Sequence, residues 1–330
     1  MSELCLGAMM FGVWGNPDHD DALKIIDRAL DAGINFIDTA DVYSGGESEE
    51  IVGKAIAGRR DELVIATKVN MAMGEGANMR GNSRRWIVKE CENSLRRLGT
   101  EYIDLYQIHR PDLNTDIDET LGALTDLVRQ GKVRYVGSST FPPSQIVEAQ
   151  WTAERRGRER FVSEQPPYSV LVRGIESETL PICQKYNIGV IPWSPLGGGW
   201  LSGKWRKGVG DIGSRRADRV PGRYDLSTPG NQAKLDAADA LGRLADESGL
   251  TLIHMALAFV LLHPAVTSAI IGPRTMEHLE GQLGATDIRI GEDILDRIDE
   301  IVPPGSNFSW SDAGYVPPAI SDAKTRRRQG

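Results

Sequence analysis

Short apolar segments alternate with amphipathic segments along most of the chain. The apolar segments are rich in β-branched residues and have the lengths of strands; they cover residues 3–9, 34–40, 63–69, 102–109, 133–139, 161–167, 188–194 and 267–272. Between them the apolar residues have helical spacing, and residues 18–33, 48–58 and 83–99 each end on a glycine, as many helices do. Strands that alternate with helices form βαβ units around a parallel sheet. Eight such units predict an α/β protein, a closed (β/α)8 TIM barrel.

Three segments remain once the eight units are assigned. Residues 197–232 are rich in Gly, Arg and Pro and lack periodicity, so the pattern predicts a long loop after the seventh strand. Residues 291–302 have helical spacing and predict an extra C-terminal helix, while residues 303–330 form a tail rich in proline and aromatic residues. No linker divides the chain, which predicts a single domain over residues 1–330.

Composition and charge argue against several classes of protein. The 330 residues carry a net charge of −8, and no basic stretch is large enough for a nucleic-acid interface. No apolar run reaches the roughly 18 residues that a membrane span needs, and the N-terminus lacks the pattern of a signal peptide. The three cysteines lie at unrelated positions, which argues against a disulfide framework or a metal site and favours a cytoplasmic location.

Polar residues interrupt the apolar pattern where three successive strands end. Asp38 ends the second strand, with Tyr43 just beyond it, Lys68 ends the third strand and His109 ends the fourth. Barrel enzymes carry their chemistry at these C-terminal strand ends. A phenol has a pKa of about 10, but an ammonium stabilises its phenolate, a carboxylate holds that ammonium, and an imidazole orients a substrate oxygen. The four residues therefore predict a general acid that protonates a carbonyl oxygen as a nucleophile adds to the carbon.

Three motifs resemble the aldo-keto reductases: FIDTADVYSGGESEEIVG from residue 36, LVIATKV from residue 63 and YIDLYQIHRPD from residue 102. The resemblance extends from residue 4 to residue 285 and keeps the family's order of motifs. It implies a barrel on which a nicotinamide cofactor reduces an aldehyde or a ketone. It also implies that Tyr43 is the general acid, that Lys68 and Asp38 tune it, and that His109 orients the carbonyl.

The resemblance implies a cofactor site as well. Residues 137–140, GSST, are similar to the segment that holds the nicotinamide carboxamide, although Thr140 stands where the family usually has Asn. Residues 165–168, QPPY, resemble the segment whose glutamine binds the same group, and Trp193 stands where an aromatic residue stacks on the nicotinamide ring. The residues implied for the nicotinamide and pyrophosphate are Gly7, Ala8, Met9, Asp38, Ser138, Ser139, Gln165, Trp193, Ser194, Pro195, Leu196, Gly197 and Lys204, with Arg215 on the 197–232 loop that would cover the cofactor.

The adenosine end of the site is carried by residues 270–285, IIGPRTMEHLEGQLGA, which resemble the corresponding family segment. The residues implied there are Ile271, Gly272, Arg274, His278 and Gln282. Arg274 stands where the family often places a cation against the 2′-phosphate, so the resemblance implies NADPH rather than NADH. His278 and Gln282 replace the usual Gln and Asn, which implies altered adenine contacts rather than their loss.

Two tryptophans are expected, by analogy with the family, to form apolar walls of a substrate pocket that also contains Tyr43 and His109. These are Trp14, after the first strand, and Trp86, near the start of the third helix. The family usually has a hairpin plug before strand one, whereas here the first strand begins at residue 3. We therefore expect the plug to be absent or to lie upstream, and we expect a monomer or a homo-oligomer.

The leading hypothesis is NADPH-dependent reduction of a small-molecule aldehyde or ketone, without nucleic-acid binding or membrane insertion. Residues 198–205, GGWLSGKW, match the start of a phosphate-binding P-loop, but Trp205 stands where Ser or Thr would bind Mg²⁺. A Schiff-base enzyme would use Lys68 as its nucleophile, which leaves the cofactor motifs unexplained. Potassium-channel β-subunits also resemble the family, so a nucleotide-sensing binding partner with weak reductase activity is an alternative.

Overall fold

Eight parallel strands lie within residues 1–208 and 219–327, which this computed structural model describes. They are β1 (Leu4–Gly7), β2 (Phe36–Asp38), β3 (Val64–Val69), β4 (Ile103–Ile108), β5 (Val133–Ser138), β6 (Ser163–Glu164), β7 (Gly189–Val190) and β8 (Ala269–Ile271). Each strand pairs with its neighbours in sequence, and β1 also pairs with β8. The Thr267 amide donates to the Val190 carbonyl at 2.8 Å, and the Ile270 amide donates to the Pro192 carbonyl at 3.0 Å. These bonds join β7 to β8, so the sheet closes as the (β/α)8 barrel that the sequence predicts.

Helices connect the strands and cover the outside of the barrel. Within the described residues they are α1 (His19–Asp31), α2 (Glu47–Ile56), α3 (Arg84–Leu98), α4 (Ile117–Arg129), α5 (Pro143–Arg156), α6 (Thr179–Lys185), α7 (Pro229–Glu247), α8 (Leu252–Leu262), α9 (Met276–Glu280), α10 (Glu292–Ile301), α11 (Pro318–Ser321) and α12 (Ala323–Arg326). The predicted helices α1, α2, α3 and α10 are confirmed. Side-chain caps fix two of their starts, because Asp18 accepts from the Asp21 amide and Ser83 accepts from the Trp86 amide.

The sixth and seventh strands are shorter than the sequence predicts. The apolar runs extend over residues 161–167 and 188–194, but β6 and β7 each contain two residues. Prolines at positions 166, 167 and 192 explain the difference, because proline has no amide hydrogen to donate to a strand ladder. Beyond these strands the pairing continues only as isolated bonds, such as the one from the Trp193 amide to the Pro166 carbonyl at 3.0 Å.

An aromatic stack forms within the described part of the segment between β7 and α7. The Trp200 and Trp205 ring centroids are 4.0 Å apart, and the Tyr224 ring stacks 5.8 Å from each of them. All three side chains are buried, so Trp205 packs where a P-loop would place a Mg²⁺-binding hydroxyl, which disfavours an ATPase. The predicted loop 197–232 ends earlier than expected, because the Thr228 hydroxyl caps α7.

The barrel interior has an apolar layer with a polar layer above it. The apolar layer is a small cluster formed by Cys5, Phe36, Ala66, Leu105, Ile191 and Ile270, separate from the larger core that packs between sheet and helices. Side chains on a strand alternate between the two faces of the sheet. Asp38, Lys68 and Gln107 lie two residues beyond Phe36, Ala66 and Leu105, so they also face the interior. This alternation sets three polar side chains at the C-terminal end of the barrel.

Neither a disulfide nor a single membrane-spanning helix is found in the part of the chain that the structure describes. Cys5, Cys91 and Cys183 are buried free thiols. Of the described helices, only α7 and α8 taken together meet the length and composition of a span, and the two helices are bent by 97° at the break between them.

Candidate active site

The four polar residues from the strand ends meet at the top of the barrel, as the sequence predicts. Lys68 Nζ, on β3, donates to Asp38 Oδ1 at 2.5 Å and to Tyr43 Oη at 3.3 Å. Tyr43 begins the short 3₁₀ helix that follows β2. His109 follows β4, and its ring lies edge-on to the Tyr43 ring with centroids 5.8 Å apart. We call these four residues the tetrad.

Lys68 is fully buried and charged. Its side chain has no solvent exposure, and its ammonium also donates to the Thr39 carbonyl at 2.7 Å. Burial alone would lower the pKa of Lys68, but the Asp38 carboxylate and the Tyr43 oxygen outweigh burial, so the pKa is raised above its ordinary value. Lys68 is therefore a fixed positive charge beside the Tyr43 oxygen.

Two amide side chains hold the second oxygen of Asp38. Gln165 Nε2 donates to Asp38 Oδ2 at 2.8 Å, and Gln107 Nε2 donates to the same atom at 3.1 Å. Gln107 is not among the residues that the sequence predicts, although it stands two positions before His109 on β4 and so shares its face. With both oxygens bonded, the Asp38 carboxylate is fixed in orientation and positions Lys68.

Burial keeps His109 neutral. Its side chain is buried, and its Nδ1 atom has no hydrogen-bond partner among the described residues. Burial, followed by the charges of Lys68 and Arg110, lowers the pKa of His109 well below its ordinary value. A neutral imidazole keeps one N–H group, which is a donor available to a substrate oxygen.

The two predicted aromatic walls lie in different surroundings. The Trp14 ring centroid is 5.9 Å from that of Tyr43, and the Arg219 guanidinium lies 4.0 Å from the Trp14 centroid. Trp86 belongs to α3, is 3% exposed and packs in the larger core. Ring contacts and hydrogen bonds within the described residues do not join Trp86 to the tetrad. This placement favours packing as the role of Trp86 and a position at the mouth of the site for Trp14.

The segment predicted to hold the carboxamide lies beside Gln165 and Trp193. Ser139 Oγ donates to the Gln165 carbonyl at 2.9 Å, and Trp193 Nε1 donates to Thr140 Oγ1 at 3.3 Å. Thr140 adopts a positive φ of 57°, a conformation that few non-glycine residues take. The structure therefore brings together three strand ends whose residues the family resemblance assigns to the nicotinamide.

Glu164 supports this segment from within the protein. It accepts from the Ser138 hydroxyl at 2.5 Å and from the Phe141 amide at 3.1 Å. Burial raises the pKa of Glu164 to about 7. The Ser138 hydroxyl is thus engaged in an internal hydrogen bond, and its contact with a cofactor stays a prediction.

A cluster of positive charge lies where the phosphates are predicted. Burial lowers the pKa of His278, the charges of Arg274 and Lys204 lower it further, and the Glu277 charge counteracts them. Neither Arg274 nor Lys204 forms an ion pair within the described residues. Beside Gly272 no atom lies within 4 Å of the position of an added Cβ. Unpaired cations around open backbone fit a phosphate-bearing dinucleotide.

The remaining predicted cofactor residues follow strands around the same rim. Gly7 ends β1 and precedes Ala8 and Met9, residues 194–197 follow β7, Ile271 ends β8, and Gln282 follows α9. An added Cβ on Gly7 would approach the Ile270 side chain within 2.6 Å, so glycine allows β1 and β8 to pack closely there. Arg215 lies outside the described residues.

Proton donation is the chemistry that the tetrad makes available. Tyr43 Oη accepts a hydrogen bond from Lys68, so the phenol keeps its own proton for donation to another group. The Lys68 ammonium then stabilises the phenolate that remains. Among the residues that the structure describes, no group of three or more His, Cys, Asp or Glu is placed to hold a metal ion.

Such a tetrad on a (β/α)8 barrel, beside a positively charged rim, is typical of an oxidoreductase that acts on carbonyl groups. The chain belongs to the aldo/keto reductase family, whose model matches residues 3–303. It is 41% identical over 327 residues to an uncharacterized oxidoreductase, YrpG, from Bacillus subtilis, covering 94% of this chain and 96% of the relative. It is 35% identical over 315 residues to a protein from Arabidopsis thaliana named "Probable voltage-gated potassium channel subunit beta", covering 91% and 94%. It is 31% identical over 330 residues to versiconal hemiacetal acetate reductase from Aspergillus parasiticus, covering 92% and 94%.

Proposed function

We propose that this protein reduces an aldehyde or ketone to an alcohol with NADPH and uses Tyr43 as the general acid. The observation that carries the proposal is the hydrogen bond of 3.3 Å from the buried Lys68 ammonium to the Tyr43 oxygen. The reduced nicotinamide supplies the hydride that adds to the carbonyl carbon. Tyr43 gives its proton to the carbonyl oxygen, and Lys68 stabilises the phenolate left behind.

The other tetrad residues position the reactants. The neutral His109 donates a hydrogen bond to the carbonyl oxygen, which holds that oxygen beside Tyr43 and polarises the carbon. Asp38, held by Gln107 and Gln165, keeps Lys68 charged and directed at Tyr43. Donors that are already in place need no reorganisation when negative charge develops on the oxygen.

The preference for NADPH rests on the unpaired cations of the rim. Arg274 presents a fork of donors that matches a phosphate, and Lys204 adds a second charge nearby. NADH lacks the 2′-phosphate, so these charges would contribute less to its binding. Trp193, Ser139 and Gln165 would hold the nicotinamide next to the tetrad.

A turnover assay tests the proposal. Absorbance of the reduced nicotinamide is followed with NADPH or NADH and a panel of aldehydes and ketones, and the alcohol product is identified by mass spectrometry. The Tyr43→Phe variant should lose at least about 100-fold in kcat. The Tyr135→Phe variant is the matched control, because Tyr135 is 62% exposed on β5 and should keep wild-type turnover. Wild-type turnover in Tyr43→Phe would contradict the assigned role.

A second candidate is a nucleotide-sensing binding partner with weak reductase activity. It is favoured by the 35% identity to the Arabidopsis protein named as a potassium channel subunit. NADPH binding without consumption of any carbonyl compound, together with copurification of a membrane protein, would support it. A Schiff-base enzyme is disfavoured because the raised pKa of Lys68 makes it a poor nucleophile. Borohydride trapping of Lys68 with a carbonyl substrate would reverse that conclusion.

A further inference from the structure

Arg110 places a guanidinium beside the tetrad, where it forms no ion pair with any carboxylate in the described part of the chain. It follows His109 directly, is half-buried, and donates through one nitrogen to the His109 carbonyl at 2.6 Å and to Ser139 Oγ at 3.4 Å. Its other two nitrogens have no hydrogen-bond partner, and it forms no ion pair, among the described residues. Arg110 is therefore anchored in position but only partly bonded.

The bonds to the His109 carbonyl and to Ser139 Oγ hold the Arg110 guanidinium beside the tetrad. Burial lowers the pKa of Arg110, the Tyr43 oxygen and the Glu164 carboxylate counteract this effect, and the Arg223 charge adds to it. The Arg110 charge in turn lowers the pKa of His109. A carbonyl oxygen that meets both Tyr43 and His109 would consequently bring the rest of the substrate close to Arg110.

The buried carboxylates of the site are already engaged by other donors. Asp38 is bonded to Lys68 and to two amide side chains. Glu164 accepts from Ser138 and from a backbone amide inside the protein, where burial raises its pKa. A half-buried guanidinium without a directly bonded carboxylate is costly, and an anion that enters the mouth would relieve that cost through charge-assisted hydrogen bonds.

Two more arginines add positive charge at the same mouth. Arg223 donates to the Ser311 carbonyl, and Arg219 lies over the Trp14 ring. Neither of them forms an ion pair with any residue that the structure describes. The whole chain carries a net charge of −8, so the positive mouth is a local feature of the site.

We propose that Arg110 selects carbonyl substrates that carry an anionic group, either a carboxylate or a phosphate, with Arg223 strengthening the positive field. The inference rests on the proposed reductase function and specifies the class of substrate for it. The anion is bound by the free nitrogens of Arg110 and is not changed in the reaction. The neighbouring carbonyl gains a hydride at carbon and the Tyr43 proton at oxygen, so an anionic alcohol is the product.

Matched pairs of aldehydes test this proposal. The carboxylate arm compares 4-carboxybenzaldehyde with methyl 4-formylbenzoate, and the phosphate arm compares 4-formylphenyl phosphate with 4-methoxybenzaldehyde. Each compound is assayed with the wild type, with Arg110→Met, which removes the charge, and with Arg110→Lys, which keeps it but lacks the fork. Arg129→Met at the end of α4 is the control, because that exposed residue lies at the opposite end of the barrel.

The wild type should prefer the charged member of at least one pair. Arg110→Met should lower kcat/KM for that member by roughly 10-fold to 100-fold, mainly through KM, and should leave the neutral members within about 2-fold. Arg110→Lys should keep part of the kcat/KM that Arg110→Met loses. Arg129→Met should match the wild type for every compound. Equal losses for charged and neutral members would make Arg110 a positioning residue of the tetrad and would overturn the proposal.

A binding measurement separates this inference from the reductase function. Benzoate and phenyl phosphate are titrated into the wild type and into Arg110→Met by calorimetry, with and without NADP⁺. Binding that weakens at least about 10-fold in the variant supports the anion site even if no aldehyde is reduced. Absence of binding by the wild type, or equal binding by the two proteins, overturns the inference whatever the turnover assay shows.

Discussion

Removal of the Lys68 charge should lower kcat by an amount that can be calculated from the structure. Lys68→Met keeps an unbranched side chain of similar length and removes the ammonium that lies 3.3 Å from Tyr43 Oη. We expect the variant to fold and to bind NADPH but to turn over slowly, because the phenolate that forms as Tyr43 donates its proton loses its counter-charge.

The size of the loss follows from Coulomb's law. Two unit charges 3.3 Å apart interact by about 5 kcal/mol at an effective dielectric constant of about 20. A phenolate that is half formed in the transition state would lose about 2.5 kcal/mol. These two values correspond to reductions in kcat of roughly 5,000-fold and roughly 70-fold, which bound the expected effect.

The assay is the steady-state oxidation of NADPH with one good aldehyde substrate, and fluorescence quenching reports NADPH binding separately. Lys89→Met serves as the matched control, because Lys89 is an exposed residue on α3. Circular dichroism establishes that each variant is folded. A Lys68→Met protein that is folded, binds NADPH and keeps kcat within about 3-fold of the wild type would refute the reasoning.

Three further predictions concern the cofactor rim, the segment that Glu164 supports and the aromatic stack. Arg274→Met should raise the dissociation constant for NADPH roughly 10-fold to 100-fold and leave that for NADH nearly unchanged, with the exposed Arg289→Met as control; equal effects on both cofactors would remove Arg274 from the phosphate site. Glu164→Gln should weaken the pH dependence of the free energy of unfolding. The pKa of Glu164 is about 7 in the folded protein, above its value in the unfolded chain. Its contribution to stability is therefore complete below the unfolded pKa and is lost as pH rises through about 7. Thermal melting at pH 5 and pH 8 measures this effect, and an unaltered pH dependence in the variant would count against it. Trp205→Ala should lower the free energy of unfolding by about 3–5 kcal/mol, measured by urea denaturation, because it removes a buried ring that stacks on two others; an unchanged midpoint would show that the stack does not hold the segment.

The tetrad could be predicted from the sequence because its members share one simple property. Asp38, Lys68 and His109 each interrupt an apolar strand at its C-terminal end, and a parallel barrel gathers those ends on one face. Tyr43 is close enough to Asp38 in sequence to be carried to the same place. The lengths of β6 and β7 were also within reach, since prolines mark where each strand ends.

The partners of the tetrad were harder to predict, because they depend on which side chains meet across strands. Gln107 and Gln165 are far apart in the sequence. They bond to Asp38, and to each other at 3.2 Å, only in the folded barrel, so nothing local in either segment indicates these contacts. The two tryptophans show the same limit. Trp14 and Trp86 look alike in the sequence. Trp86 lies on the side of α3 that packs against the core, whereas Trp14 lies beside Tyr43.

A single-turnover experiment tests the central claim most directly. NADPH carries deuterium on the reactive carbon of its nicotinamide ring, and the transfer of that deuterium to an aldehyde is measured. The account predicts that the wild type places the label on the alcohol carbon, and that Tyr43→Phe binds the cofactor with similar affinity but transfers the label at least about 100-fold more slowly. A wild type that binds NADPH and transfers no label to any carbonyl compound, or a Tyr43→Phe variant that transfers it at the wild-type rate, would contradict the account.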